Sequence, residues 1–466
     1  MAKSRLVGEK HACVFEYHGH ELAGSVYFAA SGRTKAEIFD VPASLYETET
    51  DDGVKGASFP QEETLPVLRG QLREGRSFAL VDPEIFILLP ERAYVSCNSS
   101  ICGIGLPEAL TFDRIAFQVG GLTELFGTRP ILRTRWPKDM RETGAEFGME
   151  WNPAACAKAN VDDYELELNF EVRSRIFDPY NFSVTTKPVI HIEGPRLSPQ
   201  GWIDKFVEPI RALAELATSR VQAMNWMTLN YKYTGSSQGA KYFSREFNQE
   251  PYDAEESDAR RSPIFTFASG TESSLEGMLD RWHKMAAAYP TFIDLYKSAM
   301  RDDLNRRSHF LVLMPALESF HAAEVGVEEV PKEQYKAKLH EVFTELKGAA
   351  ISDDSLEWLR TWIRRRTEYS LPYRLRELTD CISPSLRSRM ESCVGGSGKL
   401  RGTYEKIAQV RNDLAHGNKS WTDQDLLPYL RIAMTLAVGL LLFKLELPDD
   451  KLCQAIDQGH WTVFGQ

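Results

Sequence analysis

Arg411 and His416 are the residues whose types and spacing most directly suggest chemistry. Tyr404, Ile407, Arg411 and Leu414 follow helical spacing and fall on one stripe of an α-helix. That stripe puts Arg411 on a face marked as buried, and an inward guanidinium needs an anionic partner to offset its desolvation. The partner is either an internal carboxylate, for which Glu318 is a candidate, or a phosphate supplied from outside. His416 follows directly before Gly417, a residue suited to ending a helix. Near neutral pH an imidazole both gives and takes protons. The five-residue step rotates a helix by about 140°, so the two side chains do not share a face. They converge only at a helix end, or through a second copy of the helix. Each also has a plain structural reading, a core ion pair for the arginine and a helix cap for the histidine.

The helix that carries both is expected from about Lys399 to His416, in a region that reads as helical from about Asp302 onward. Phe310, Leu313, Met314, Leu317 and Phe320 mark one helix, interrupted at Pro315; Tyr335, Leu339, Val342, Phe343 and Leu346 mark a second; Leu356, Leu359 and Ile363 mark a third. An apolar helix is expected from Leu426 to Leu445. Its unbroken run, Ile432 to Phe443, falls short of the ~20 residues a bilayer needs. It reads as a bundle core or as the surface on which two copies meet. Short connections between long helices predict a helical bundle over 301–466.

Residues 1–195 carry strand signals instead. In Tyr164-Glu-Leu-Glu-Leu-Asn-Phe-Glu-Val172, apolar and polar side chains alternate as a half-buried strand requires. Ser25 to Phe28 and Lys35 to Phe39 flank a Ser31-Gly32 turn, and further strands are expected near Ser77 to Leu80, Tyr94 to Cys97 and Arg114 to Val119. The stretches Glu47 to Glu63 and Asn248 to Pro263 read as solvated acidic loops. Residues 196–300 are expected to be a helical linking part, with a helix from near Trp202 distorted around Pro209. The fold class is α+β, a mostly antiparallel β-rich domain with attached helices followed by an all-α bundle.

With 55 Lys and Arg against 66 Asp and Glu, the net charge of -11 argues against a chain that holds nucleic acid over its whole surface. The charge is uneven. From Ser355 to Arg411, twelve Lys and Arg face six Asp and Glu, which makes this segment +6 and leaves -17 for the remainder. Seven scattered cysteines and an N-terminus without an apolar core fit a reducing, cytoplasmic setting, with no membrane contact. Gly395-Gly-Ser-Gly-Lys399 lacks the first glycine of a phosphate loop, since Cys393 stands there, and Leu400 replaces its Ser or Thr. It reads as a flexible loop. His18 and His20 have no further ligands at metal-binding spacing, so neither a metal nor another cofactor is expected.

Arg411-Asn-Asp-Leu-Ala-His416 resembles the R-x4-6-H motif of HEPN ribonucleases, including the polar residue after the arginine, Asn412. Arg5 and His11 match the same short pattern, but in a segment with no helical periodicity. Phe310-Leu-Val-Leu-Met-Pro-Ala-Leu-Glu-Ser-Phe-His321 is similar to the opening helix of the HEPN domain in ApeA-type anti-phage proteins. The β-rich region, the helix from Phe206 to Arg220 and the segment around Leu279-Asp-Arg-Trp282 extend the likeness over nearly the whole chain. The resemblance implies a metal-independent endoribonuclease of anti-phage defence (abortive infection), in which Arg411 and His416 are catalytic and the N-terminal region senses or regulates. It implies RNA as substrate, a homodimer or higher homo-oligomer formed through the HEPN domain, and a phage-derived trigger. Asn412 and Glu318 would support the site, and Arg364, Arg365, Arg366, Lys399 and Arg401 are candidate RNA contacts, although a basic run also reads as a solvated helix face. Two alternatives stay open: a non-catalytic HEPN-like binding module with a structural Arg411, and a toxin component modified by a partner.

Overall fold

In the computed structural model the alternating segment is a strand, Tyr164–Arg175, with Tyr164, Leu166 and Leu168 buried and Glu165 exposed. The structure describes residues 6–46, 48–49, 55–56, 61–89, 91–127, 130–135, 148–152, 157–175, 183–218, 221–245, 275–300, 304–326, 332–348, 351–363, 369–450 and 452. Arg5, Arg364, Arg365, Arg366 and the stretch 248–263 lie outside them, as does most of the acidic stretch from Glu47 to Glu63. The chain divides into two units, Met1–Thr218 with Gln222–Glu276, and Ser219–Val221 with Gly277–Gln466.

Fifteen strands among the described residues form one sheet, and every paired neighbour runs antiparallel. The expected hairpin is present: His20–Phe28 pairs with Thr34–Phe39. Its turn requires glycine at position 32, where φ is +78° and a Cβ would stand 1.7 Å from the carbonyl oxygen of Ser244. One face of this part of the sheet is closed by a core that includes Phe15, Phe28, Phe78 and Phe243, with Phe15 edge-on to Phe78 and Phe28 stacked on Phe243.

The segment 196–300, expected as a helical linking part, also supplies two strands, Met224–Tyr233 and Ser236–Ser244, which lie inside the sheet between Phe112–Val119 and Ser99–Gly103. Their sequence signal is the alternation of Met227, Leu229 and Tyr231 with Thr228, Asn230 and Lys232. The expected helix runs from Pro199–Trp202 through a wide π turn, Ile203–Val207, into Glu208–Thr218. Pro209 explains the wide turn. It has no N–H for the carbonyl one turn back, and the Glu208 N–H reaches the carbonyl of Ile203 instead. Trp202 is fully buried and donates its indole N–H to the Phe112 carbonyl, fixing this helix to the sheet.

The second unit is helical. Arg306–Glu324 lies at its centre, packed by Pro290–Ala299, Leu371–Asp380, Ser397–His416 and Asp423–Lys444. Phe310, Leu313, Leu317 and Phe320 are all fully buried along it. Pro315 does not interrupt the helix, because packing on both sides outweighs the roughly 3 kcal/mol that an interior proline costs. Lys332–Lys347 and Asp353–Ile363 are helices as expected, and the short helices Leu371–Asp380 and Pro384–Val394 add two that the periodicity did not mark.

Asp423–Lys444 begins with a capping box, Thr422 accepting from the Asp425 N–H and Asp425 from the Thr422 N–H. It is long and apolar enough to cross a membrane, yet its side chains from Leu426 to Leu442 are mostly buried inside the unit. The apolar run therefore lies mostly in the bundle core, with Phe443 at its end exposed.

Lys444, at the end of that helix, lies 2.8 Å from Glu324 and so joins it to the end of the central helix; Tyr289 also donates to Glu324. Burial raises the Glu324 pKa, but the hydrogen bonds from Lys444 and Tyr289 outweigh it and leave the carboxyl below its ordinary 4.5. A carboxyl depressed by folding stabilises the protein above its unfolded pKa and loses that contribution as pH falls through the folded value. Glu324→Gln should therefore cost about 1 kcal/mol or less at neutral pH, with the difference from the wild type closing below 4.5. Urea unfolding of both proteins across this pH range checks the prediction. A gap that stays constant would remove the tie from the account.

Candidate active site

Gly395 ends Pro384–Val394 in a left-handed turn at φ +85°, and Ser397 already opens the next helix. The expected glycine loop is thus two residues long, and Lys399 is helical. Ser397–His416 buries Leu400, Tyr404, Ile407 and Val410. The burial then fades toward the helix end, where Leu414 is half-buried and Ala415 and His416 are exposed. This corrects the expectation for Arg411. The stripe turns inward at Val410, and the Arg411 side chain stays 36% exposed at its edge.

Two groups hold the Arg411 guanidinium. Nη1 donates to Asn412 Oδ1 at 3.2 Å, and Nη2 lies 3.9 Å from Glu318 Oε1 on the central helix. Glu318 is shared, because its other carboxylate oxygen lies 3.9 Å from Nη1 of Arg374. Arg374 is only 8% exposed and donates through Nε to the Tyr369 carbonyl. The sequence gives little notice of it, since it sits in a short helix with few apolar positions.

His416 closes the helix as expected. Gly417 takes the left-handed conformation, φ +68°, and its N–H bonds the Asp413 carbonyl. The imidazole is exposed and makes no hydrogen bond to a described residue. The chain just beyond it is fixed by Trp421, whose indole donates to Asp413 Oδ2 at 3.1 Å and whose carbonyl accepts from Arg307 Nη2 at 2.7 Å. Lys406 and Lys419 lie over the Trp421 ring. Two lysines thus flank the Trp421 ring just beyond the helix that carries His416.

The other expected contacts lie elsewhere. Lys399 and Arg401 are at the start of the helix, about 15 Å or more from Arg411 at 1.5 Å per residue, and Arg401 is loosely paired with Glu405 at 4.0 Å. Among the described residues, no group of three or more His, Cys, Asp or Glu is placed to hold a metal ion. His18 is engaged by Glu63 at 2.7 Å.

Residues 16–282 match the family model described as ApeA N-terminal domain 1, more than half of the chain, and residues 311–451 match the one described as Apea-like HEPN. The chain belongs to the ApeA-type HEPN family. No curated protein and no solved structure matches it. The Apea-like HEPN match begins inside the central helix and ends beyond Asp423–Lys444, so it encloses Glu318, Arg374, Arg411 and His416.

Within this HEPN domain a second polar pair lies beside the first. His321 and Glu318 are three residues apart on the central helix, and Glu377 and Arg374 three apart on Leu371–Asp380, so the two pairs form successive rungs. His321 is fully buried; its Nε2 lies 2.7 Å from Glu377 Oε2, and its Nδ1 is buried with no partner among the described residues. The Glu377 carboxylate also takes a hydrogen bond from Tyr373, which raises that phenol's pKa. Glu377→Ala would leave both His321 nitrogens without a partner in the core, at a cost of about 1–3 kcal/mol, whereas Glu377→Gln keeps an acceptor. Chemical denaturation distinguishes them. Equal stabilities for the two variants would mean that the rung bears no load.

Proposed function

We propose that this protein is an endoribonuclease of anti-phage defence, in which His416 moves protons and Arg411 stabilises charge on the scissile phosphate. The 2′-hydroxyl of RNA attacks the adjacent phosphorus, the bond to the 5′-oxygen breaks, and the proton leaving the 2′-oxygen is balanced by one delivered to the 5′-oxygen. The products are a 2′,3′-cyclic phosphate and a 5′-hydroxyl. The nucleophile is part of the substrate, so this route requires a proton carrier and a cation and no metal.

The observation that carries this reading is the state of the two motif residues. Arg411 is half-exposed and held only from its edges by Asn412 and Glu318, and His416 stands exposed at the same helix end. An ion pair of 3.9 Å at that exposure contributes about 1 kcal/mol or less. It is a weak reason to place an arginine there, and this disfavours the non-catalytic module as an alternative. The five-residue separation sets the side chains about 140° apart and about 7.5 Å along the axis, which suits a site completed by a second copy of the domain.

The test is cleavage of RNA by activated protein with EDTA present, followed by analysis of the ends. Cyclic phosphate ends from the wild type, and none from the Arg411→Ala, His416→Ala double variant, are expected. Unchanged cleavage by the double variant overturns the assignment. In infected cells the same pair should differ in phage restriction and RNA integrity.

A further inference from the structure

The sheet of the N-terminal unit carries a built polar site on the face opposite its phenylalanine core. On His20–Phe28, Thr34–Phe39 and Arg92–Cys97, the side chains of Val26, Phe28, Ala36, Ile38, Ala93 and Val95 go to that core, so alternate residues line the other face. The register assembles them into two cross-strand rows. Lys10 stands opposite Tyr27, Tyr27 opposite Lys35 and Lys35 opposite Ser96; in the next row Ser25 stands opposite Glu37, Glu37 opposite Tyr94 and Tyr94 opposite Phe86. These rows, together with Arg33, line a cavity of about 420 Å³, a size typical of small-molecule sites.

Two features define the chemistry that the cavity would accept. The first is Ser25, 8% exposed, whose Oγ is buried and has no hydrogen-bond partner among the described residues. A buried hydroxyl of this kind normally meets a partner, and Ser25 lies in the cavity wall. The second is charge. Glu37 is taken by Lys10 at 2.8 Å. Arg33 directs Nε and Nη2 to the neutral Ser96 hydroxyl at 3.2 and 2.8 Å, and neither Arg33 nor Lys35 has a carboxylate partner among the described residues. Two cations are left unbalanced beside the half-buried rings of Tyr27, Tyr94 and Phe86.

We propose that this sheet face binds a phosphorylated nucleoside, with Arg33 and Lys35 on the phosphate, Tyr27 and Tyr94 against the base, and Ser25 bonding the most deeply placed polar atom. The guanidinium and ammonium supply charge-assisted hydrogen bonds, and the tyrosines supply a stacking surface that accepts any base. The ligand is either a free nucleotide or the end of an oligonucleotide, since both present the same group. The site's residues belong to the first unit, and Arg411 and His416 to the second.

Isothermal titration of the full chain tests the proposal with the four ribonucleoside 5′-monophosphates, ATP, the unphosphorylated nucleosides, inorganic phosphate and a short RNA oligonucleotide. At least one nucleotide should bind saturably, and its nucleoside and inorganic phosphate each about tenfold or more weakly. An Arg33→Ala, Lys35→Ala variant should lose about tenfold or more in affinity without a fall in Tm, because both residues are exposed. Ser25→Ala should weaken binding while raising the Tm of the free protein, since it removes an unsatisfied buried hydroxyl. Binding should persist in the Arg411→Ala chain, which separates this site from the nuclease reading. Tighter binding of the oligonucleotide than of its mononucleotide assigns the ligand to a nucleic-acid end, and the reverse to a free nucleotide. No saturable binding at about 1 mM ligand, or an affinity unchanged in the Arg33→Ala, Lys35→Ala chain, overturns the proposal.

Discussion

Replacing His416 by alanine is expected to slow RNA cleavage by about 10²–10⁴-fold, the usual cost of losing a general acid or base, with no loss of stability. The two parts of the expectation come from the same observation. The imidazole is exposed, makes no hydrogen bond to a described residue, and follows the last buried turn of its helix, so little of the fold depends on it. The helix end itself is held by Gly417 and by the Trp421 indole on Asp413. Arg411→Ala should slow cleavage by about 10²–10³-fold, as removal of one oxyanion-stabilising donor commonly does, and should lower stability by about 1 kcal/mol or less through the Glu318 contact. Arg411→Lys keeps the charge and loses the planar fork that meets Asn412 and Glu318 together, so most of the defect should remain. Single-turnover cleavage with thermal unfolding of each variant reads both quantities. A His416→Ala protein of near wild-type rate would remove the histidine from the chemistry, and an Arg411→Ala protein that is inactive because it unfolds would make the arginine structural.

What the sequence made legible here is local. The alternation from Tyr164, the periodic apolar residues of Arg306–Glu324 and the glycine after His416 each report on a few consecutive residues, and each gave the right element. Periodicity overstates the burial of Arg411 because it assumes that a helix is packed along its whole length, whereas this one emerges from the bundle after Val410. Leu371–Asp380 and Pro384–Val394 escaped because they are short and bury few apolar side chains, two of them in the second. Long-range pairings left no local trace. His321 and Glu377 are 56 residues apart, and the rows that set Ser25 beside Glu37 and Tyr94 depend on strand register.

The acidic balance also reads differently once the helices are placed. Among the described residues, the +6 segment does not form one basic surface beside the motif. Arg374 is buried against Glu318, Arg387 pairs with Asp380, and Lys399 and Arg401 lie at the far end of the motif helix. Lys406 and Lys419 lie over the ring of Trp421, beyond the helix end, and Arg307 holds its carbonyl. This is a small cationic group in a protein whose net charge otherwise repels nucleic acid.

Mixing two inactive proteins should restore activity. If each site takes its arginine from one copy and its histidine from the other, a dimer of Arg411→Ala with His416→Ala contains one site with both residues intact and one with neither. Random exchange makes about half of all dimers mixed, and each has one working site of two, so about a quarter of wild-type activity is expected from two proteins that separately have almost none. If Arg411 and His416 of the same copy act together, the mixed dimer has no intact site and the mixture stays inactive. The helix geometry favours the first outcome, because a rotation of about 140° and a rise of about 7.5 Å separate the two side chains within one copy. Such a dimer would draw little on Asp423–Lys444, most of whose apolar residues are already buried in the bundle. Co-expression with two different tags, tandem purification of the mixed species and RNA cleavage by that species alone, where about half of the wild-type activity is expected, give the measurement. A mixed dimer that is isolated intact and fails to cleave overturns the shared site while leaving the single-variant predictions standing.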